Sequence, residues 1–253
     1  MCKRNDLLGR FLSAVFGVVL ILLSYTPLSF GESFDDQFNG STLSSGWEIS
    51  PGKGSYSLTA NPGSLRYIID AYQTAHTGSI VTDQWGSFYS KALWLVRPFS
   101  GKHWILKTAI TYNMRPGMPT NCRTMFLWIK TPGEGSNFTN IAQIDRWVGD
   151  YVPNYPPGNF MCLTASSNEN NQEIFFPNSP NSLPLERWYL EIERNNDHIV
   201  VRASNDGNDS TFEYEKEGIL PPGIGNDQVI DISGQGWRGS NNPSGYADLD
   251  FIT

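Results

Sequence analysis

The chain has 253 residues, 13% of them aromatic and only 17% charged, with a formal net charge of −7. That balance favours sheets with aromatic faces over charged helices, and no long Ala/Leu/Glu/Lys run argues for a helical bundle. An acidic chain repels phosphate, which excludes nucleic acid and anionic membranes as partners and leaves neutral sugars or calcium as the better-suited ligands.

The N-terminus carries Lys3, Arg4 and Arg10, then an apolar run from Phe11 to Leu23, Pro27, and the small residues Ser29 and Gly31. This is the pattern of a secretory signal peptide over residues 1–31, leaving 32–253 as one domain of a secreted or cell-surface protein. Uncleaved, the same segment is long enough to be a membrane anchor. Cleavage takes Lys+Arg from 18 to 15 and Asp+Glu from 25 to 24, for a net charge of −9. It also removes Cys2, so that Cys122 and Cys162 remain as an even pair and are expected to form a disulfide in an oxidising compartment.

From Phe34 to Ile69 the chain reads as a strand, a turn region containing Trp47, and a second strand announced by Asn61-Pro62-Gly63. The last segment, Gly245 to Thr253, alternates with Ala247, Leu249 and Phe251 on one side and Asp248, Asp250 and Ile252 on the other, as a partner strand for this start. Between them, Ala92–Pro98, Trp104–Tyr112, Cys122–Lys130, Asn140–Val148, Phe160–Ala165, Glu173–Phe176, Phe212–Glu217 and Val229–Ser233 read as strands. Trp188–Arg194 and His198–Ala203 form a hairpin across Asn195-Asn196-Asp197. On the order of a dozen strands with no internal repeat predicts a single antiparallel β-sandwich.

Two of these strands carry the site expectation. In Cys122–Lys130, Met125, Leu127 and Ile129 share one face, and Thr124, Phe126 and Trp128 the other. In Asn140–Val148, Ala142, Ile144 and Val148 fit a core interrupted by Arg146, whereas Gln143, Asp145 and Trp147 fall on the opposite side. Sugar rings pack their C–H faces on aromatic rings, while Asn, Gln, Asp and Arg bond the hydroxyls. Trp128, Gln143, Asp145 and Trp147 therefore predict a glycan-binding face, extended by Tyr151 and Tyr155 on the proline-stiffened loop that follows. Trp237, in the Gly-rich segment Gly234–Gly239, is a further loop contact.

The order Phe-Asp-Asp-x-Phe-Asn-Gly-Ser-x-Leu-x-x-x-Trp (Phe34 to Trp47), Ser57-Leu58-x-x-x-Pro62-Gly63-x-Leu65-Arg66, Leu95-x-Arg97-Pro98 and Arg187-Trp188-Tyr189-Leu190 resembles the concanavalin A-like lectin/glucanase sandwiches. Within that superfamily it looks most like the laminin-G-like modules at the C-termini of β-xylosidases. The resemblance implies a jelly roll of two curved antiparallel sheets with carbohydrate on the concave face. It also implies a structural calcium, for which the matching places are Asp36, the Gly63 carbonyl and Asp250, hard oxygen donors of the type the ion takes.

The resemblance supports activity less well than fold. Glucanases of this superfamily carry Glu-x-Asp-x-x-Glu on a central strand, one nucleophile and one acid/base. The nearest match here is Gln143-Ile144-Asp145-Arg146-Trp147-Val148, where an amide stands for the nucleophile and valine for the acid. Glu191 and Glu193 share a strand face, and exposed alternation on a hairpin accounts for them. The sequence therefore favours a lectin-like glycan-binding module, with a polysaccharide lyase or hydrolase of the same fold, or a structural adhesion domain, as alternatives.

Overall fold

The computed structural model describes residues 33–50, 54–68, 93–113, 122–132, 138–148, 160–166, 172–175, 186–205, 212–237 and 245–253, all within a compact unit spanning Glu32–Thr253. The predicted signal peptide, Tyr151 and Tyr155 lie outside the described residues.

These residues form strands and no helix. In chain order the strands are β1 (Glu48–Ser50), β2 (Ser55–Ser57), β3 (Leu65–Ile68), β4 (Trp94–Ser100), β5 (His103–Asn113), β6 (Cys122–Pro132) and β7 (Phe138–Val148). They continue as β8 (Phe160–Ala165), β9 (Gln172–Phe175), β10 (Glu186–Asn195), β11 (His198–Ser204), β12 (Tyr214–Ile219), β13 (Asp227–Trp237) and β14 (Tyr246–Ile252). The first sheet runs β1-β4-β13-β6-β7-β8-β9 and the second β12-β11-β10-β5-β14-β3-β2, seven strands in each. The pairings are antiparallel, and the expected partnership of the two ends of the domain is present as β3 with β14, Leu65 opposite Leu249.

Period-2 alternation places the core. Leu127, Ile129, Ile144, Leu163, Ile230 and Ile232 of the first sheet and Ile110, Trp188, Leu190, Val201 and Leu249 of the second belong to one buried cluster. Two bulges alter what simple alternation predicts. The register of β14 against β5 shifts between Leu249 and Phe251, so the faces exchange after Asp250, and Ile252 rather than Phe251 enters the core. One inserted residue reverses every side chain beyond it. A second shift between Ile129 and Lys130 leaves Ile141 as the extra residue of β7, and both Ile141 and Ala142 are buried.

The N-terminal motif is a structural plug. Asp36 pairs its backbone with Ile252 in both directions, 3.0 and 2.9 Å, and its carboxylate accepts from the Trp47 indole at 2.8 Å. The Arg97 guanidinium lies over the Phe34 ring at 4.4 Å and the Trp47 ring at 5.8 Å and donates to the Ser45 carbonyl at 2.9 Å. Gly46 has φ 96°, and a Cβ there would come within 3.1 Å of the Arg97 guanidinium. Glycine is the residue that permits both the turn and the close approach.

Candidate functional site

The site residues lie on the face of the first sheet turned away from the core. Gln143 on β7 stands directly opposite Trp128 on β6, Asp145 opposite Phe126, and Trp147 opposite Thr124. Asp145 and Trp147 also face Cys162 and Phe160 of β8. On the other side of Trp128, β13 places Asp231 opposite it. The expectation that Trp128, Gln143, Asp145 and Trp147 share a face follows from alternation and agrees with this register.

Their environment is drier than an open groove. Trp128 and Trp147 are 7% and 8% exposed and Asp145 is 2% exposed, whereas Gln143 is half-buried. The two indoles are engaged inside the protein and form no open stacking platform. Trp147 stacks on Phe160, centroids 5.8 Å apart and 18° between planes. Trp128 receives the Lys130 ammonium on its ring, 5.2 Å from the centroid, and donates from Nε1 to the Asp145 carboxylate at 2.8 Å. The Gln143 side-chain nitrogen donates to the other oxygen of Asp145.

Burial pushes the Asp145 carboxyl up to about 7, against the opposing pull of the hydrogen bonds from Trp128 and Gln143, because a dry site disfavours the ionised form and donors favour it. The neighbouring Cys162 thiol is pushed up to about 12, by burial first and then by the charge of Asp145. Beyond Trp128, Lys130 and Asp231 form an ion pair whose side chains are 1% and 0% exposed. Sequence reading did not assign Lys130 or Asp231 to the site. The signal was present in the alternation of β6, which puts Lys130 on the side of Trp128, but the strand order that brings Asp231 alongside is a tertiary fact.

Arg146, on the core-facing side of β7, is 1% exposed and donates from Nη1 to the carbonyls of Trp147 at 2.7 Å and Phe160 at 3.1 Å. It ties β7 to the end of β8. Glu191 and Glu193 belong to the other sheet, where both accept from the Arg202 guanidinium, so they take no part in this face.

Two further expectations are corrected. Trp237 is the last residue of β13, opposite Cys122, in a strand and not a loop; its side chain lies outside what is described. Cys162 is a free, buried thiol. Because Cys162 pairs with Asp145 and Asp145 with Phe126, Cys122 lies two strands across and four residues along. Standard strand dimensions make that roughly 16 Å, against the under about 7 Å between Cα atoms that a disulfide spans.

The carboxylates among the predicted calcium donors, Asp36 and Asp250, are engaged by groups of the protein itself. Cross-strand partners point to the same face, so Asp36, opposite Ile252, turns toward the core side. Its carboxylate accepts from the Phe38 amide at 3.1 Å, from Ser44 and from Trp47. Asp250 is held by Arg187 at 2.6 Å. Asp248, two residues before Asp250, is clamped by the Arg66 guanidinium through two contacts of 2.7 Å and by Asn61 at 3.0 Å. Both predicted carboxylates thus have partners inside the protein, and no cluster of three or more His, Cys, Asp or Glu side chains that could hold a metal ion occurs among the described residues.

No family model and no curated protein matches the sequence. Solved structures do match in shape. A pseudo β-1,3-glucanase and immunostimulatory antigen of Mycobacterium tuberculosis aligns with a TM-score of 0.50 and 12% identity, over 88% of this chain and 97% of that one. A laminarinase from Flavobacterium sp. UMI-01 aligns with a TM-score of 0.50 and 12% identity, over 87% and 97%. The fold is that of a concanavalin A-like antiparallel β-sandwich. The GH43 protein BlXynB of Bacillus licheniformis aligns at TM-score 0.49 and 13% identity over 88% of this chain and 39% of that one, and the chain spans about two-fifths of the length of the GH43 structures it matches. At 12% identity the laminarinase and the pseudo-glucanase share the β-sandwich fold with this chain, and a shared fold does not fix an activity.

Proposed function

We propose that this is an exported carbohydrate-active protein whose ligand is a polysaccharide, taken on the outward face of the first sheet with Gln143 as its accessible contact. The observation that carries this reading is the network Trp128–Asp145–Gln143, in which a buried carboxylate and indole lead to a half-buried amide. Buried polar networks of this kind fix the orientation of the group they present, and a fixed amide suits the hydroxyls of a sugar. The signal-peptide pattern of residues 1–31 supports export, and the laminarinase and pseudo-glucanase of the same fold support a polysaccharide as ligand.

A catalytic reading is favoured by one specific feature, the Asp145 carboxyl raised to about 7. Such a group can hold or release a proton near neutrality. Against glycoside hydrolysis stands the want of a second carboxylate at Gln143 or Val148, because both hydrolytic routes use a pair. The test is incubation with laminarin and a panel of polysaccharides, reading binding by calorimetry, new reducing ends by colorimetry and unsaturated ends by ultraviolet absorbance. Binding alone supports a recognition module, reducing ends or unsaturated ends lost in Asp145→Asn support the enzyme, and no response to any polysaccharide overturns both.

A further inference from the structure

The Gln143 amide has two chemically different ends, and Asp145 decides which one is offered. A carboxylate has only acceptors, so it holds the nitrogen of the amide toward itself, and Gln143 Nε2 is indeed the atom that meets Asp145 Oδ2. The oxygen of the amide is turned away from that carboxylate. Gln143 is half-buried while Asp145 is buried, so the ligand meets the amide and not the acid.

We propose, building on the polysaccharide reading, that Asp145 is a positioning residue that locks Gln143 with its oxygen toward the ligand, so that the site selects the hydroxyl donors of uncharged sugars and rejects carboxylate or sulfate groups. An anionic sugar would set its own acceptors against the Gln143 oxygen over a face that already holds Asp145. The described cation of that face, Lys130, is bound to Asp231 and to the Trp128 ring. Specificity of this sort comes as much from the repulsive arrangement as from the attractive one.

The lock depends on the charge of Asp145. Among the described residues, the groups facing it are Trp128 from β6, with Lys130 and its partner Asp231 of β13 beyond the indole, Gln143 beside it on β7, and Cys162 opposite it on β8. The thiol stays protonated over the ordinary pH range, which leaves Asp145 as the group whose ionisation the amide senses. When the carboxyl is protonated it can donate, and the amide is no longer constrained to point its nitrogen inward.

The experiment uses the full mature protein with laminarin as an uncharged probe and alginate as an anionic one, at pH 5.5 and 8.5. Wild type is expected to bind laminarin about tenfold more tightly at the higher pH, the effect of one hydrogen bond of about 1.4 kcal/mol, and to discriminate against alginate at pH 8.5, with that discrimination narrowed at pH 5.5. Asp145→Asn is expected to lose the pH dependence and to narrow the discrimination. A flat wild-type profile, a profile that persists in Asp145→Asn, or a preference for alginate overturns the proposal. In parallel, the side-chain amide resonance of Gln143, assigned by its loss in Gln143→Ala, is followed by NMR without ligand. A shift with a midpoint near neutrality, moved upward in Trp128→Phe, supports the lock even if no polysaccharide binds and the functional reading has failed; an amide blind to pH overturns the lock whatever binds.

Discussion

The Trp128 indole donates to the Asp145 carboxylate at 2.8 Å on a sheet face that points away from the sandwich core, yet both residues are buried, 7% and 2% exposed. A carboxyl in that position contributes to stability with an unusual sign. Its folded value, about 7, lies above the unfolded 3.8. The folded state therefore holds a proton that the unfolded chain releases between those two values, and the contribution is full below about pH 4 and lost as pH rises through about 7. At about 1.4 kcal/mol per unit the difference is about 4 kcal/mol across the interval. Denaturant melts from pH 4 to 8 should show wild type losing stability relative to Asp145→Asn by an amount of this order; parallel curves would remove Asp145 from the account.

The ion pair beside Trp128 carries its own prediction. Lys130 and Asp231 are both buried, with side chains 1% and 0% exposed. Replacing Lys130 by methionine keeps the stem and leaves the Asp231 charge without its ammonium, which costs about 3–5 kcal/mol. The double variant Lys130→Met, Asp231→Asn should recover much of that loss in chemical denaturation. Additive losses in the double-mutant cycle would show that the two side chains do not act together.

Metal removal should do nothing. The Arg66 guanidinium grips Asp248 at 2.7 Å through each of two nitrogens and lies 3.9 Å from the Tyr246 ring centroid. Hydrogen bonding to Asp248 is the largest influence raising the Arg66 pKa, with burial opposing it. EDTA or added calcium is expected to leave the melting temperature unchanged, whereas Arg66→Ala should cost about 2 kcal/mol by removing a charge-assisted pair. A fall in melting temperature with EDTA would point to a divalent ion at Asp36, Gly63 and Asp250.

Cys162 should behave as a buried thiol. With its pKa pushed up to about 12 and no disulfide partner, it carries little thiolate to react. A thiol reagent is expected to modify Cys162 only under denaturing conditions, and reductant should leave the melting temperature of wild type unaltered. Mass spectrometry showing Cys122 linked to Cys162 in the native protein would contradict the strand register.

Much of this protein was legible because its strands obey a period of two. Leu127 and Ile129 inward with Trp128 outward, and Ala142 and Ile144 inward with Gln143, Asp145 and Trp147 outward, are consequences of alternation that one sequence discloses, and so was the all-β sandwich with its ends paired through β3 and β14. Alternation assigns a side without saying what covers it. That is why Trp128 and Trp147 read as a platform and prove to be interior, and why the shift at Asp250, which sends Ile252 inward in place of Phe251, was not foreseen. Strand order was likewise beyond local pattern. Only the tertiary structure brought Asp231 from β13 beside Trp128, kept Cys122 two strands from Cys162, and set Arg66 against Asp248, because each of these depends on which strands are neighbours and in what register.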